Sequence, residues 1–142
     1  MVVRLKNATV ESIEDTETKR LKVVKLNAKE EGARISLELP EVLCAAMSPR
    51  DKVTVIIDTK PITRGESARL YAEGKVFRIR DDDGVEVTGT VGGLRMTLDI
   101  SSPTAAQRKT FDSDRFLIAI ICKSISIFAQ NSFGYLFLSP DR

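Results

Sequence analysis

Apolar residues recur at every second position through much of this chain, and this alternation restricts its fold more than any other feature. Residues 33–39 are apolar at every odd position and polar at every even one, and the odd positions of residues 53–57 are apolar too. Residues 2–13 and 19–28 also follow a strand pattern, with a register shift expected near Asn7. Because successive side chains of a strand point to opposite faces, this period predicts strands with one buried face.

Counting such segments gives roughly eight strands, mostly antiparallel, and a sheet of that length with one apolar face closes into a barrel or folds into a sandwich. The order of strands, a short turn or helix, and further strands favours an OB-like barrel, so the predicted class is all-β. At most one short helix is expected, at residues 41–47, between Pro40 and Pro49. Residues 60–67 and 101–109 are predicted to be loops.

The end of the chain divides into two parts. Residues 116–122 are apolar throughout, which predicts a strand covered on both faces. We expect the barrel domain to span residues 1–123 and residues 124–142 to form an extension. The extension is predicted to be either an added hairpin on the barrel or a segment that joins a partner's sheet or surface.

Gly92 and Gly93 predict the register of a central hairpin. A two-residue turn needs positive φ, which glycine adopts without steric cost. A slip of one residue would mix apolar and polar faces, so the pattern favours a single register. Its apolar pairs are Val91 with Leu94, Gly89 with Met96, Val87 with Leu98, and Val85 with Ile100.

The preceding turn is predicted to be a three-residue loop, residues 82–84, with Gly84 in the left-handed region. Asp81, Asp82 and Asp83 could suggest a magnesium site, but aspartate and glycine are favoured at hairpin tips, so we expect a turn. Phe77 is expected in the core. The pairs that this loop sets are Ile79 with Val87, Phe77 with Gly89, and Arg80 with Glu86.

Composition excludes several chemistries. The chain has no histidine and only two cysteines, so a four-ligand Cys/His zinc site cannot be built from it. Cys44 and Cys122 are predicted to be buried thiols. Ser113 has no histidine to activate it, so no catalytic residue is predicted. A net charge of +2 does not favour a protein that mainly grips phosphate.

A weaker candidate site is a basic strip for single-stranded nucleic acid. Its members would be Lys75, Arg78, Arg80 and Arg95. The predicted register places the three arginines on one polar face with acidic Glu86 and Asp99. A barrel of this type binds such strands with a basic groove and aromatic platforms. Because aromatic residues make up 6% of the chain, the face is expected to be solvated and charge-balanced.

Four stretches, taken in order, resemble one family: the eighth subunit of eukaryotic nuclear RNA polymerases and its archaeal counterpart. Residues 71–79 resemble its Tyr-x-x-x-Gly-Lys-Val-Tyr-Arg-Ile motif, one residue shorter. Residues 92–98 resemble its Gly-Gly-Leu-Leu-Met-Arg-Leu, and residues 111–117 its Phe-x-x-Asp-x-Arg-x-Tyr-Leu-Leu, minus one residue. Residues 35–39 followed by 50–53 resemble its strand and Gly-Asp-Lys turn, with Arg50 in the place of the glycine.

The resemblance implies an eight-stranded OB-like barrel at the periphery of the polymerase, in contact mainly with the largest subunit. It implies no catalytic residue, cofactor or small-molecule substrate in this chain, and only indirect or weak contact with DNA. The compact loops favour an archaeal, cytoplasmic protein over a nuclear one. We expect Asp112, Asp114 and Arg115 either to cap the start of a strand or to make a polar contact to the partner. The signature residues given a structural role are Gly74, Lys75, Gly92, Gly93, Leu94, Met96 and Leu98.

Overall fold

The computed structural model describes residues 2–45, 47–62 and 68–122. Within them, eight antiparallel strands close into one barrel in the order β1-β2-β3-β7-β6-β5-β8-β4. The predicted all-β barrel is therefore confirmed. The strands are β1 (Val2–Asp15), β2 (Leu21–Ala28), β3 (Ala33–Pro40), β4 (Lys52–Asp58), β5 (Leu70–Asp81), β6 (Val85–Val91), β7 (Leu94–Ile100) and β8 (Arg115–Cys122).

Two short α-helices and one 3-10 turn connect the strands of the described chain. The first helix, α1 (Glu41–Cys44), is shorter than predicted. The second, α2 (Ala105–Thr110), was not expected, because the sequence here predicts a loop. Thr104 starts it with a capping box: the Gln107 N–H donates to Thr104 Oγ1 at 3.1 Å, and the Thr104 N–H donates to Gln107 Oε1 at 2.9 Å. The 3-10 turn is Lys29–Glu31.

The inward side chains of the strands fill the barrel, as the alternation predicts. Leu5, Leu37, Leu98 and Ile118, for example, are fully buried in a single cluster. A smaller apolar cluster lies outside the wall of β4 and β8 and contains Ile56, Ile62, Ala119 and Ile121. The prediction that the last strand is covered on both faces is thereby confirmed.

The first strand joins both ends of the sheet. Its early residues pair with β4 and its later residues pair with β2. The register with β4 shifts between Leu5 and Ala8, where the sequence predicts a shift near Asn7. On the other side of the barrel, β8 lies between β4 and β5, pairing with both. The barrel thus closes through β1 and β8.

The central hairpin has the predicted register. Gly92 and Gly93 have φ values of 57° and 85°, and Val91 pairs with Leu94. All of the predicted β6–β7 pairs are confirmed, out to Val85 with Ile100. The preceding three-residue loop is also confirmed, since Asp81 pairs with Val85.

The expected conformation of Gly84 is wrong, because its φ is not positive. The position has a different need for glycine. A Cβ there would lie 2.5 Å from the carbonyl oxygen of Ile100, so the close approach of two backbones excludes a side chain.

The prediction that Phe77 lies in the core opposite Gly89 is also wrong. Val76 pairs with Gly89 and Arg78 pairs with Thr88, so Phe77 is an extra residue in β5. Such a β-bulge leaves one residue unpaired and turns its side chain out of the regular alternation. Phe77 is 81% exposed.

The turn before β4 holds an arginine in a conformation that favours glycine. Arg50 has a φ of 80°, and its N–H donates to the Val10 carbonyl at 2.7 Å. The Val10 N–H donates in return to the Asp51 carbonyl at 2.9 Å, so the turn is bound to β1. This is the position where the resembled family has glycine.

Among the described residues, no helix is long and apolar enough to cross a membrane. Residues 124–142, for which the sequence predicts a hairpin or a partner-contacting segment, lie outside the described residues.

Candidate partner-binding surface

Two of the family-like stretches lie side by side, because β5 and β8 are neighbours. Gly74 pairs with Phe116, and Lys75 pairs with Arg115. A Cβ at Gly74 would lie 2.5 Å from Phe116 Cε1, so glycine leaves the space that the buried ring occupies. The Phe116 ring also meets Phe111 edge to face, with centroids 5.9 Å apart. Gly74 and Phe116 are therefore complementary in shape.

Lys75 contributes through its backbone. Its side chain is exposed, but its carbonyl group occupies the space that a Cβ at Gly89 would need. Glycine at position 89 therefore permits the close contact between β5 and β6 beside the bulge at Phe77.

The hairpin signature residues divide between turn and core. Gly92 and Gly93 are exposed at the turn, and Leu94 is half-buried. Met96 and Leu98 are fully buried inside the barrel. These residues maintain the fold and offer little surface to a partner.

The structure places Asp112, Asp114 and Arg115 just before and at the start of β8, with exposed side chains. The Asp114 carbonyl accepts the N–H of Val76 at 2.8 Å, next to the bulge. Arg115 Nη1 lies 3.4 Å from Glu73 Oε2 in an exposed ion pair. Part of this motif is therefore explained by backbone pairing within the chain, and partner contact by its side chains stays a prediction.

The candidate basic strip is spread over β5 and β7 and is interrupted by acidic residues. Arg80 Nε lies 3.9 Å from Glu86 Oε1. Glu86 in turn pairs across the strands with Asp99, which pairs with Arg34 of β3. The row therefore has an arginine at each end and two adjacent acidic residues between them.

Arg78 and Arg95 lie in rows with more hydroxyl groups. Arg78 is paired with Thr88, and Arg95 with Thr90. Arg95 is anchored by its backbone, whose N–H donates to Glu38 Oε1 at 3.0 Å. The structure thus brings Arg78 and Arg80 together on β5, with Arg95 two strands away.

Asp99 is electrostatically disfavoured in its charged form. Partial burial, followed by the negative charge of Glu86, raises the pKa of Asp99, while Arg34 acts in the opposite direction. With two arginines and two acidic residues, the row therefore offers no net positive charge to a phosphate.

An open strand edge is the feature that sequence reasoning missed. The pairing of β8 with β5 stops at Lys75 and Arg115, so among the described residues the segment 77–81 has a strand neighbour only in β6. We call this segment the β5 edge. At its end, an ion pair joins Asp81 to Arg108 of α2. The lengths of the two segments could have indicated this open edge. A strand of about seven residues at 116–122 is too short to pair with all of the longer β5.

Ile79 belongs to the β5 edge and pairs with the fully buried Val87, so it occupies a position whose side chain faces the inside of the barrel. It is nevertheless 42% exposed, because no residue of β8 lies beside it. Together with Phe77, it adds exposed apolar surface to an otherwise polar rim.

The described residues contain no group of three or more potential metal-binding side chains of histidine, cysteine, aspartate or glutamate. Asp82 and Asp83 lie at the hairpin tip. The thiols of Cys44 and Cys122 are free, and burial raises the pKa of both, so neither is an activated nucleophile.

Comparison of the sequence with models of known protein families and with curated proteins gives no match. Function is therefore inferred from this chain's own motifs and surface.

Proposed function

We propose that this protein is a non-catalytic structural subunit of a DNA-directed RNA polymerase, which docks on the largest subunit of that enzyme. The observation that carries the proposal is the ordered set of family-like stretches. Two of them, residues 71–79 and 111–117, interlock through Gly74 and Phe116. The two stretches are therefore neighbours in the fold as well as matches to one family's motifs in sequence.

The proposed mechanism is assembly. A closed barrel has its strands hydrogen-bonded on both sides along most of their length, so it presents its surface loops and rim on a stiff frame. Burying part of that rim on a large subunit would stiffen the subunit locally without adding a catalytic group. The chemistry of nucleotide addition would belong entirely to the large subunits.

Affinity purification tests the proposal. The tagged full chain, recovered from native lysate of its source at low salt, should bring down the large polymerase subunits. Recovery of the folded chain without any of them would refute the proposal.

A paired variant tests the absence of catalysis. Asp82→Asn together with Asp83→Asn changes two exposed carboxylates at a hairpin tip and should leave polymerase activity unchanged, because neither residue would bind the catalytic magnesium. Loss of activity in a normally assembled complex would contradict this.

A free-standing single-stranded nucleic-acid-binding protein is the second candidate, and one observation favours it. Phe77 is exposed beside Arg78 and Arg80, and an exposed aromatic ring next to cations can stack on a base. This candidate predicts that the isolated chain binds labelled oligonucleotides with an affinity that falls steeply with salt. It also predicts that Phe77→Ala weakens the binding. Absence of binding to oligo-dT and oligo-U at low salt would eliminate it.

A further inference from the structure

We propose that the β5 edge binds an extended, acidic segment of a partner polypeptide, which adds to the barrel as a strand beside residues 77–81. The inference deepens the proposed function by naming the docking surface, and it depends on that function only for the identity of the partner.

Among the described residues, the β5 edge has no strand neighbour on the side of β8. Val76 makes the last hydrogen bond of β5 on the β8 side, to the Asp114 carbonyl. Beyond it, the described residues provide no strand on that side of the β5 edge. Unpaired N–H and C=O groups of an edge are a template for main-chain pairing with an extended segment.

The β5 edge also exposes two large apolar side chains. Phe77 is 81% exposed and Ile79 is 42% exposed, although Ile79 has the register of a core residue. An added strand would take the place that β8 vacates and cover the inward face at Ile79. An inward-pointing charge is one device that protects an edge from pairing, and at this inward position the edge has Ile79 instead.

Charge disfavours a second copy of this chain in the three registers centred on Arg78, Ile79 and Arg80. When two copies pair antiparallel around a two-fold axis, the residue at the axis lies opposite its own copy. Residues at equal distances before and after that central residue then lie opposite each other. Centring on Ile79 sets Arg78 against Arg80 twice, and centring on Arg78 or Arg80 sets that residue against its own copy. Like charges directly opposite each other destabilise a strand pair, so self-pairing is disfavoured in each of these registers.

The same arginines define the partner. Arg78 forms no ion pair among the described residues, and Arg80 reaches Glu86 only at 3.9 Å. Acidic residues opposite Arg78 and Arg80, with an apolar residue opposite Ile79 between them, would complement the edge. The nearby Asp81 is already paired with Arg108. The expected occupant is therefore a segment in which acidic and apolar residues alternate.

The test uses the folded full chain and two blocked, fluorescent heptapeptides, one alternating valine with glutamate and the other alternating valine with lysine. Anisotropy titrations at low salt should show binding of the acidic peptide in preference to the basic one. Amide hydrogen exchange should slow in residues 77–81 when the acidic peptide is bound.

Charge reversal gives the decisive comparison. Arg78→Glu with Arg80→Glu should weaken binding of the acidic peptide about tenfold and favour the basic peptide. The matched control, Lys19→Glu with Arg20→Glu, makes the same change in net charge at exposed positions in the turn between β1 and β2 and should keep the wild-type preference. Thermal midpoints of all variants establish that they are folded.

Three outcomes would overturn the proposal: no binding of the acidic peptide, binding that the reversal at Arg78 and Arg80 leaves unchanged, or protection of residues 77–81 by self-association without any peptide. The polymerase proposal is tested separately. If the reversed variant still co-purifies with the large subunits, the docking surface is wrong and the proposed function stands. If the peptide binds but no polymerase subunit is recovered, the surface stands and the proposed function fails.

Discussion

Replacing Gly74 by alanine should destabilise the barrel specifically through Phe116. The added Cβ would lie 2.5 Å from Phe116 Cε1 and 2.9 Å from the Thr90 carbonyl oxygen, well inside van der Waals contact. Phe116 is 1% exposed and packs against Phe111, so the ring cannot move into solvent. The steric clash of the added Cβ can therefore be relieved only if the Phe116 ring or the β5 backbone shifts.

The magnitude follows from two opposing effects. Adding a methyl group to a well-packed core costs about 1–3 kcal/mol. Alanine also restricts the unfolded chain more than glycine does, which returns about 0.4–1 kcal/mol. We expect a net loss of about 1–2 kcal/mol in the free energy of unfolding, measured by urea denaturation with an unchanged denaturant slope.

A double-mutant cycle with Phe116→Leu attributes the loss to its cause. The smaller side chain removes the ring atoms that meet the Cβ, so Gly74→Ala should cost about 1 kcal/mol less in that background. Some cost should remain, because the Thr90 carbonyl is still there. Gly89→Ala is the control: its Cβ would meet the Lys75 carbonyl, so Phe116→Leu should not rescue it.

Equal costs of Gly74→Ala in the wild-type and leucine backgrounds would refute the reasoning. So would a rescue of Gly89→Ala by Phe116→Leu as large as the rescue of Gly74→Ala. Either result would mean that glycine is required at position 74 for its backbone and not for the ring above it.

Three further predictions follow from strain, charge and burial. Arg50→Gly should stabilise the protein by about 0.5–1 kcal/mol. A left-handed backbone conformation costs an L-residue about 1–2 kcal/mol, and the greater entropy of glycine in the unfolded chain offsets part of the gain. Arg50→Ala, the control, should not raise the thermal midpoint in this way. Asp99→Asn should stabilise by about 0.2–1 kcal/mol at pH 7, because it removes a partly buried charge and the repulsion of that charge by Glu86. Because the raised pKa means that folding favours protonated Asp99, the advantage should vanish below the ordinary pKa of 3.8. The thiols of Cys44 and Cys122, whose pKa values burial raises, should react with iodoacetamide much more slowly in the folded chain than in urea.

The sequence predicted the barrel and its central hairpin because two local signals agreed. Gly92 and Gly93 supplied the positive φ that a two-residue turn needs, and the alternation around them allowed one register only. The three-residue loop before β6 was predictable from the alternation alone, because Gly84 does not have the positive φ that was expected. The need for glycine there is steric and arises from Ile100, which lies on β7.

The bulge at Phe77 could not be predicted in this way. Val76 and Phe77 are both apolar, so either could face the core, and no local pattern marks the extra residue. The choice depends on the Asp114 carbonyl, which binds the Val76 N–H from a segment far along the chain. Because the β5 edge and its exposed Phe77 depend on that contact, the candidate docking surface emerged only from the tertiary structure.

The position of β8 between β4 and β5 has a consequence for how the chain folds. β4 and β5 are consecutive in sequence, yet they do not pair with each other in the barrel. β8 (Arg115–Cys122) lies between them and pairs with both. Before that segment leaves the ribosome, the strands β1–β7 can form only an open sheet with an exposed apolar face. Closure therefore has to wait for β8 and brings together residues far apart in sequence, which predicts slow folding.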